Sequence, residues 1–246
     1  MDTSTRPVAL ITGAARRIGA QIARRLHDAG HDLALHYHGS QAAMTSLQAE
    51  LDGARPGSVI ALQADLTQFD RLPELIARTV GRFGRLDALV NNASVFFPTD
   101  VGAATPAQWD ALFAVNVRAP YFLSQAAAPH LQRTRGAIVN ITDLYAARPL
   151  AGHALYSMSK AALAQMTRAL ALELAPDVRV NAIAPGAILW PDGDDDSARR
   201  EAIVARTPMA RTGQVQEVAD AVLWLLQGAG FTTGHSLPLD GGRGLP

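Results

Sequence analysis

The sequence predicts an α/β protein built on a doubly wound parallel sheet with helices on both faces. Short aliphatic or β-branched runs alternate with segments of helical apolar spacing along the chain. Such alternation reads as βα units, whose crossovers make neighbouring strands parallel and cover both sheet faces. At 246 residues the chain sits at the upper end of what one hydrophobic core holds, so one domain spanning 1–246 is expected. A composition of 48% hydrophobic and 18% charged residues is that of a chain able to bury a sizeable core.

In chain order, VALIT at 8–12 is the first strand and 19–29 the first helix, then LALHYH at 33–38 and a helix at 42–52. VIALQADL at 59–66, a helix at 70–83 and ALVNNA at 88–93 follow. The helical stretch 106–133 is long for a crossover, and Pro120 is expected to bend or break it. AIVNIT at 137–142, a helix at 155–175 and VRVNAIAP at 178–185 complete six strands, and helices at about 197–206 and 214–227 close the chain. The acidic, turn-rich PDGDDDS at 191–197 reads as a mobile loop near the site, part of a substrate loop over about 187–210.

Lys plus Arg equals Asp plus Glu, at 22 each, so no net field draws in nucleic acid or an anionic membrane; a small-molecule partner fits better. With no Cys there is no disulfide, thiolate metal site or cysteine nucleophile. No segment approaches the roughly 18 apolar residues of a membrane span, and the N-terminal run lacks a signal-peptide layout, so cytosol is the expected location.

Directly after the first strand, Gly13, Arg16, Arg17, Ile18 and Gly19 open a helix. Small residues let backbone approach a pyrophosphate, and the helix N-terminus offers free N–H groups and partial positive charge. Arg16 and Arg17 oppose the helix dipole there, which a bound anion would offset. The second strand ends in Tyr37-His38-Gly39-Ser40, without the acid that grips ribose hydroxyls in NAD-selective sites, so NADPH is the expected cofactor. His36 and His38 could form a metal pair on one strand face, but strand packing is the simpler reading and no metal is expected. Asp65-Leu66 ends the third strand, where Asp65 is either an adenine neighbour or a turn residue. Asn92, Ala93 and Ser94 end the fourth, at the carboxyl edge where open parallel sheets bind ligands.

Tyr156 and Lys160 lie four apart and share a helix face. An ammonium beside a phenol favours phenolate and makes the hydroxyl a better proton donor near neutral pH. Asp143, at the end of the fifth strand, is either a cap or a third member of this set.

Thr12-Gly13 to Gly19, Asp65-Leu66, Asn91-Asn92-Ala93, Asn116, Tyr156 to Lys160, Asn181 to Pro185-Gly186, and Asp240-Gly241-Gly242 occur in the order and spacing of the short-chain dehydrogenase/reductase superfamily. The chain resembles that superfamily over roughly 6–243. The resemblance implies a Rossmann-type seven-stranded sheet, a nicotinamide cofactor also touched by Pro185, Gly186 and Ile188, and a homotetramer packed through helices 106–133 and 155–175. It also implies Asn116 in a water-linked proton relay with Lys160. Arg17, Ser94 and Asp143 depart from the superfamily's usual Gly, Gly and Ser, and in this they are similar to pteridine reductases, as are Phe96-Phe97-Pro98 and Arg148-Pro149-Leu150. That likeness implies Arg17 bridging cofactor phosphate and pterin, Ser94 bonding pterin or cofactor, and Phe96 stacking on the pterin. Asp143, Tyr156 and Lys160 would be the catalytic set, with dihydrobiopterin, dihydromonapterin or dihydrofolate as substrate. Gly39 stands where protozoan pteridine reductases carry Arg, which removes one partner of the 2′-phosphate. Leu189 and Trp190 are expected either to wall the substrate pocket or to pack within their loop. The rival readings are a carbonyl reductase for 3-oxoacyl thioesters or sugar alcohols, and a non-catalytic nucleotide sensor.

Overall fold

A computed structural model describes residues 5–190 and 196–245. Its seven strands, β1 (Val8–Ile11), β2 (Asp32–Tyr37), β3 (Val59–Gln63), β4 (Ala88–Asn91), β5 (Ala137–Ile141), β6 (Arg179–Pro185) and β7 (Ser236–Leu239), form one sheet in the order β3-β2-β1-β4-β5-β6-β7. Every pairing is parallel. Strand order reverses between β1 and β4, which opens a crevice at the carboxyl ends of these strands.

The helices are α1 (Arg17–Asp28), α2 (Gln41–Ala54), α3 (Leu72–Phe83), α4 (Pro106–Phe113), α5 (Ala119–Thr134), α6 (Ala154–Leu174), α7 (Ser197–Ala205) and α8 (Val215–Leu223). Strand side chains alternate between faces, so Ala9 and Ile11 join one core with Ile22, Leu26 and Met44 of α1 and α2 and Val222 of α8. Leu10 faces the opposite core, among Leu72 and Ile76 of α3, Leu123 and Leu131 of α5 and Leu163 of α6. Two buried layers thus clamp the sheet and hold its carboxyl edge rigid.

The break expected at Pro120 is present, in a form the pattern did not give, and the end of the third strand needs correction. The helical stretch 106–133 breaks just before Pro120, in a π-turn over Ala114–Arg118. Pro120 has no N–H for the Asn116 carbonyl and its ring crowds that carbonyl, so the Ala119 N–H bonds back to Ala114 instead. The third strand stops at Gln63, so Asp65 lies in the following turn, where its Oδ1 accepts from the Thr67 N–H at 2.9 Å. Of the acidic segment 191–197, residues 191–195 lie outside the described residues; Asp196 caps α7, its Oδ1 accepting from the Arg199 N–H at 2.9 Å. Among the described residues no helix is long and apolar enough to cross a membrane.

Candidate active site

A cleft of about 430 Å³ opens at the switch point. Gly13, Arg16, Arg17, Ile18 and Gly19 form one wall; Tyr37, His38 and Ser40 follow β2, Asp65 and Leu66 follow β3, and Asn92, Ala93 and Ser94 follow β4. The fit around Gly19 is close: a Cβ there would lie 2.2 Å from the Gly13 carbonyl oxygen and 2.7 Å from Asn92 Nδ2. Asn92 Nδ2 donates to the Thr12 and Gly13 carbonyls at 2.8 and 3.1 Å, and Thr12 Oγ1 accepts from the Asn92 and Ala93 N–H groups. These bonds tie the end of β4 to the loop that opens α1. Helix α1 begins with no side-chain cap and no acid in its first turn, and Ser40 precedes α2 without capping it. Two helix N-termini therefore present N–H groups at the cleft, a donor set that fits the phosphates of a dinucleotide.

Arg17 adopts φ 56°, left-handed backbone that favours glycine. Its guanidinium reaches 2.9 Å from the Trp190 carbonyl and ties the start of α1 to the segment after β6. Strain of this kind, about 1–3 kcal/mol, persists where the surroundings over-determine it and clusters at functional sites.

His36 is buried, and its imidazole joins the loop to the sheet. The Gly13 N–H donates to Nδ1 at 3.2 Å, so the Nε2–H faces the Ala64 carbonyl at 3.1 Å. Burial pushes its pKa down to about 4, and the ring is neutral. Both ring nitrogens of His36 are thus taken, β2 ends at Tyr37 before exposed His38, and among the described residues no group of three or more His, Asp or Glu is placed to hold a metal. The Tyr37 hydroxyl donates to Gln41, and its ring belongs to the core while edging the cleft.

Beside the cleft, Tyr156 on α6 donates its hydroxyl to Asp143 Oδ2 at 2.6 Å, and Asp143 Oδ1 accepts from the Tyr145 N–H at 2.8 Å. Asp143 thus caps the short turn Leu144–Ala146 with one oxygen and meets Tyr156 with the other. Burial raises the Asp143 pKa against the pull of Tyr145, Tyr156, Lys160 and Arg243. Burial, followed by the Asp143 carboxylate, pushes the phenol above its ordinary value. This corrects the expectation that Lys160 lowers it. Lys160 Nζ instead donates to the Ile141 carbonyl at 3.0 Å and stands 5.8 Å from the centre of the Tyr156 ring, and its own burial pushes it down to about 8.

Asn116, held in the π-turn, is fully buried and uses both ends of its amide. Nδ2 donates to the Val95 carbonyl and Ser159 Oγ at 3.0 Å each; Oδ1 accepts from the Val95 N–H at 3.0 Å and Ser94 Oγ at 3.1 Å. It therefore fixes Ser94 beside the cleft and reaches α6 through Ser159, whose hydroxyl donates to the Tyr156 carbonyl at 2.7 Å. Its bonds to Ser94, Val95 and Ser159 do not extend to Lys160, so a relay between the two needs an intermediary.

Phe96 stacks on His153 at 4.6 Å and meets Tyr156 edge to face at 4.7 Å. His153 covers one ring face, and Phe96 remains 41% exposed. Pro185 ends β6 and a Cβ on Gly186 would lie 2.8 Å from Asp240 Cα, so these two hold the β6 turn onto the segment after β7, while buried Ile188 packs on Gly213 ahead of α8. Leu189 is exposed, whereas Trp190 packs under Arg200 of α7, its ring centre 5.5 Å from the guanidinium. Tyr145, His153, Ser159 and Arg243 were not singled out from sequence, and Thr12 and His36 were named there without the bonds they make here. Their neighbours to the glycine and Tyr-Lys motifs were the available signal.

The family described as enoyl-(acyl carrier protein) reductase matches residues 13–243. Pteridine reductase 1 of Leishmania tarentolae is 38% identical over 100% of this chain and 99% of its own length. L-fucose dehydrogenase of Oryctolagus cuniculus is 38% identical over 97% of this chain and 85% of its own. L-xylulose reductase of Caenorhabditis elegans is 35% identical over 95% and 94%. With the parallel seven-stranded sheet and the glycine-lined crevice at its switch point, these matches make the chain a member of the short-chain dehydrogenase/reductase superfamily.

Proposed function

We propose that this oxidoreductase uses NADPH to reduce a 7,8-dihydropterin to the tetrahydro form. The observation that carries the proposal is the 2.6 Å bond between Tyr156 and Asp143, where a carbonyl-reducing relative would hold a serine hydroxyl. A ketone oxygen wants a neutral donor; a pterin offers an amino-pyrimidine edge and a ring nitrogen, which suit a carboxyl that accepts, donates and carries a proton.

NADPH supplies the hydride when bound. The N-terminus of α1 and Arg17 would hold the pyrophosphate, His38 and Ser40 would donate to the 2′-phosphate, and Lys160 would hold the nicotinamide ribose. The exposed part of the Phe96 ring would stack on the pterin, and Arg17 and Ser94 would fix its polar edge. With Asp143 ionised, the phenol proton is tied to the carboxylate. With Asp143 protonated, its O–H donates to the phenol oxygen and frees the phenol O–H for the substrate nitrogen. The raised Asp143 pKa keeps that protonated form within reach. Exposed Trp109 and Tyr121 on α4 and α5 and Met158 and Leu172 on α6 support packing of a homotetramer through these helices.

The 38% identity to an L-fucose dehydrogenase favours a second reading, a sugar or other carbonyl reductase. Coenzyme consumption with dihydropterins, dihydrofolate, sugars and acetoacetyl thioesters, each with NADPH and NADH, separates them. The proposal expects the highest kcat/KM for a dihydropterin with NADPH; a sugar or thioester as best substrate overturns it.

A further inference from the structure

We propose that Arg243 is a positioning residue for the Asp143–Tyr156 pair: through Tyr145 it clamps the turn that carries Asp143 and so tunes the ionisation of its carboxyl. This extends the reading of Asp143 above but rests on different contacts. The last described segment doubles back on Asp240, whose Oδ1 accepts from the Gly242 N–H at 2.9 Å and whose Oδ2 accepts from the Gly244 N–H at 2.7 Å. Gly241 and Gly242 take φ 64° and 85°, so the chain turns sharply enough to bring Arg243 over the active-site edge. A Cβ on Gly244 would come within 3.1 Å of Leu144 Cδ1, so the segment lies directly on the turn that begins at Asp143.

The Arg243 guanidinium stands 5.6 Å from the centre of the Tyr145 ring, and its Nη2 donates to the Tyr145 hydroxyl at 3.4 Å. Tyr145 in turn gives its backbone N–H to Asp143. The charged and titratable groups facing Asp143 are Tyr145 on its own turn, Tyr156 and Lys160 from α6, and Arg243 from the C-terminal segment. Lys160 donates to the Ile141 carbonyl and pulls on the carboxyl from the α6 side, and Arg243 pulls on it from the other. Arg243 is thus a second cation that can keep the carboxyl able to give up its proton at each turnover.

The test is carbon-13 NMR of the Asp143 carboxyl in the NADP⁺-bound protein, with the resonance assigned by its loss in Asp143→Asn. Arg243→Met should move the titration midpoint up by about 0.5 to 1 unit, a partly screened charge at this range, and Arg243→Lys should restore most of it. Tyr145→Phe, which keeps the backbone N–H, should give a smaller upward shift. The alkaline limb of the kcat profile should move the same way with little change in KM. An unchanged midpoint in Arg243→Met, or a rise confined to substrate KM, overturns the proposal. Wild type that reduces no dihydropterin would fail the substrate reading alone, because the carboxyl titration does not depend on substrate.

Discussion

Single residues decide the chemistry, and their legibility in the sequence depended on whether a motif carried them. Tyr156, Lys160 and Asp143 could be singled out by type and spacing. Their electrostatics could not, because the order of influence on the phenol follows from burial and from which group the ammonium bonds. Arg243 meets Tyr145 across 98 positions of chain, and no periodicity announces such a contact. Tyr156→Phe should cut turnover by about 10²–10⁴-fold with little change in NADPH affinity, since only the proton donor is lost. Stopped-flow hydride transfer beside a fluorescence titration of NADPH measures both, and unchanged turnover would remove Tyr156 from the mechanism. Arg17→Gly should leave Tm unchanged or higher, because glycine accepts φ 56° freely. It should weaken NADPH binding by about tenfold, the worth of one charge-assisted hydrogen bond. A melting curve paired with a binding isotherm checks the two directions together; a lower Tm with intact affinity would make Arg17 a structural residue.

At the scale of elements, the six strands read from apolar runs all appear, shifted by a few residues where a turn residue takes over. β7 gave no such run: it is four residues long and holds Pro238, tolerable because β7 is an edge strand. The break in the helix around Pro120 was expected, but its form was not, since a π-turn depends on which carbonyl the proline leaves without a donor. The contact between α1 and the end of β4 is the most sensitive joint in the fold. Gly19→Ala must push its new methyl against the Gly13 carbonyl and Asn92, so NADPH affinity should be lost and stability should fall by about 1–3 kcal/mol. Isothermal titration and chemical denaturation report these; wild-type affinity in the variant would show that the loop gives way more easily than the packing implies.

For the whole molecule, parallel topology followed from alternation, whereas the seventh strand of a Rossmann-type sheet came from the family resemblance and is borne out by the sheet. Acid sensitivity is a property of the assembled fold that the sequence did not disclose. His36 titrates near 4 when folded and near 6.5 when unfolded, so its contribution is present above pH 6.5 and lost as pH falls through 4. Burial shifts His27 and His31 downward as well. His36→Gln, which cannot titrate, should lose less stability than wild type between pH 6.5 and 4, by at most about 3 kcal/mol, in urea denaturation across that range. Equal losses would mean that Gly13 does not depend on a neutral imidazole. The substrate question turns on Asp143, and its direct test is turnover of wild type and Asp143→Ser, from acid to alkaline pH, with a dihydropterin and with a simple ketone. Wild-type pterin reduction should fall as pH rises through an ionisation that the serine variant lacks, and the variant should lose pterin turnover sharply while keeping its fold and NADPH affinity. Undiminished pterin reduction with an unchanged pH profile in Asp143→Ser would contradict the account.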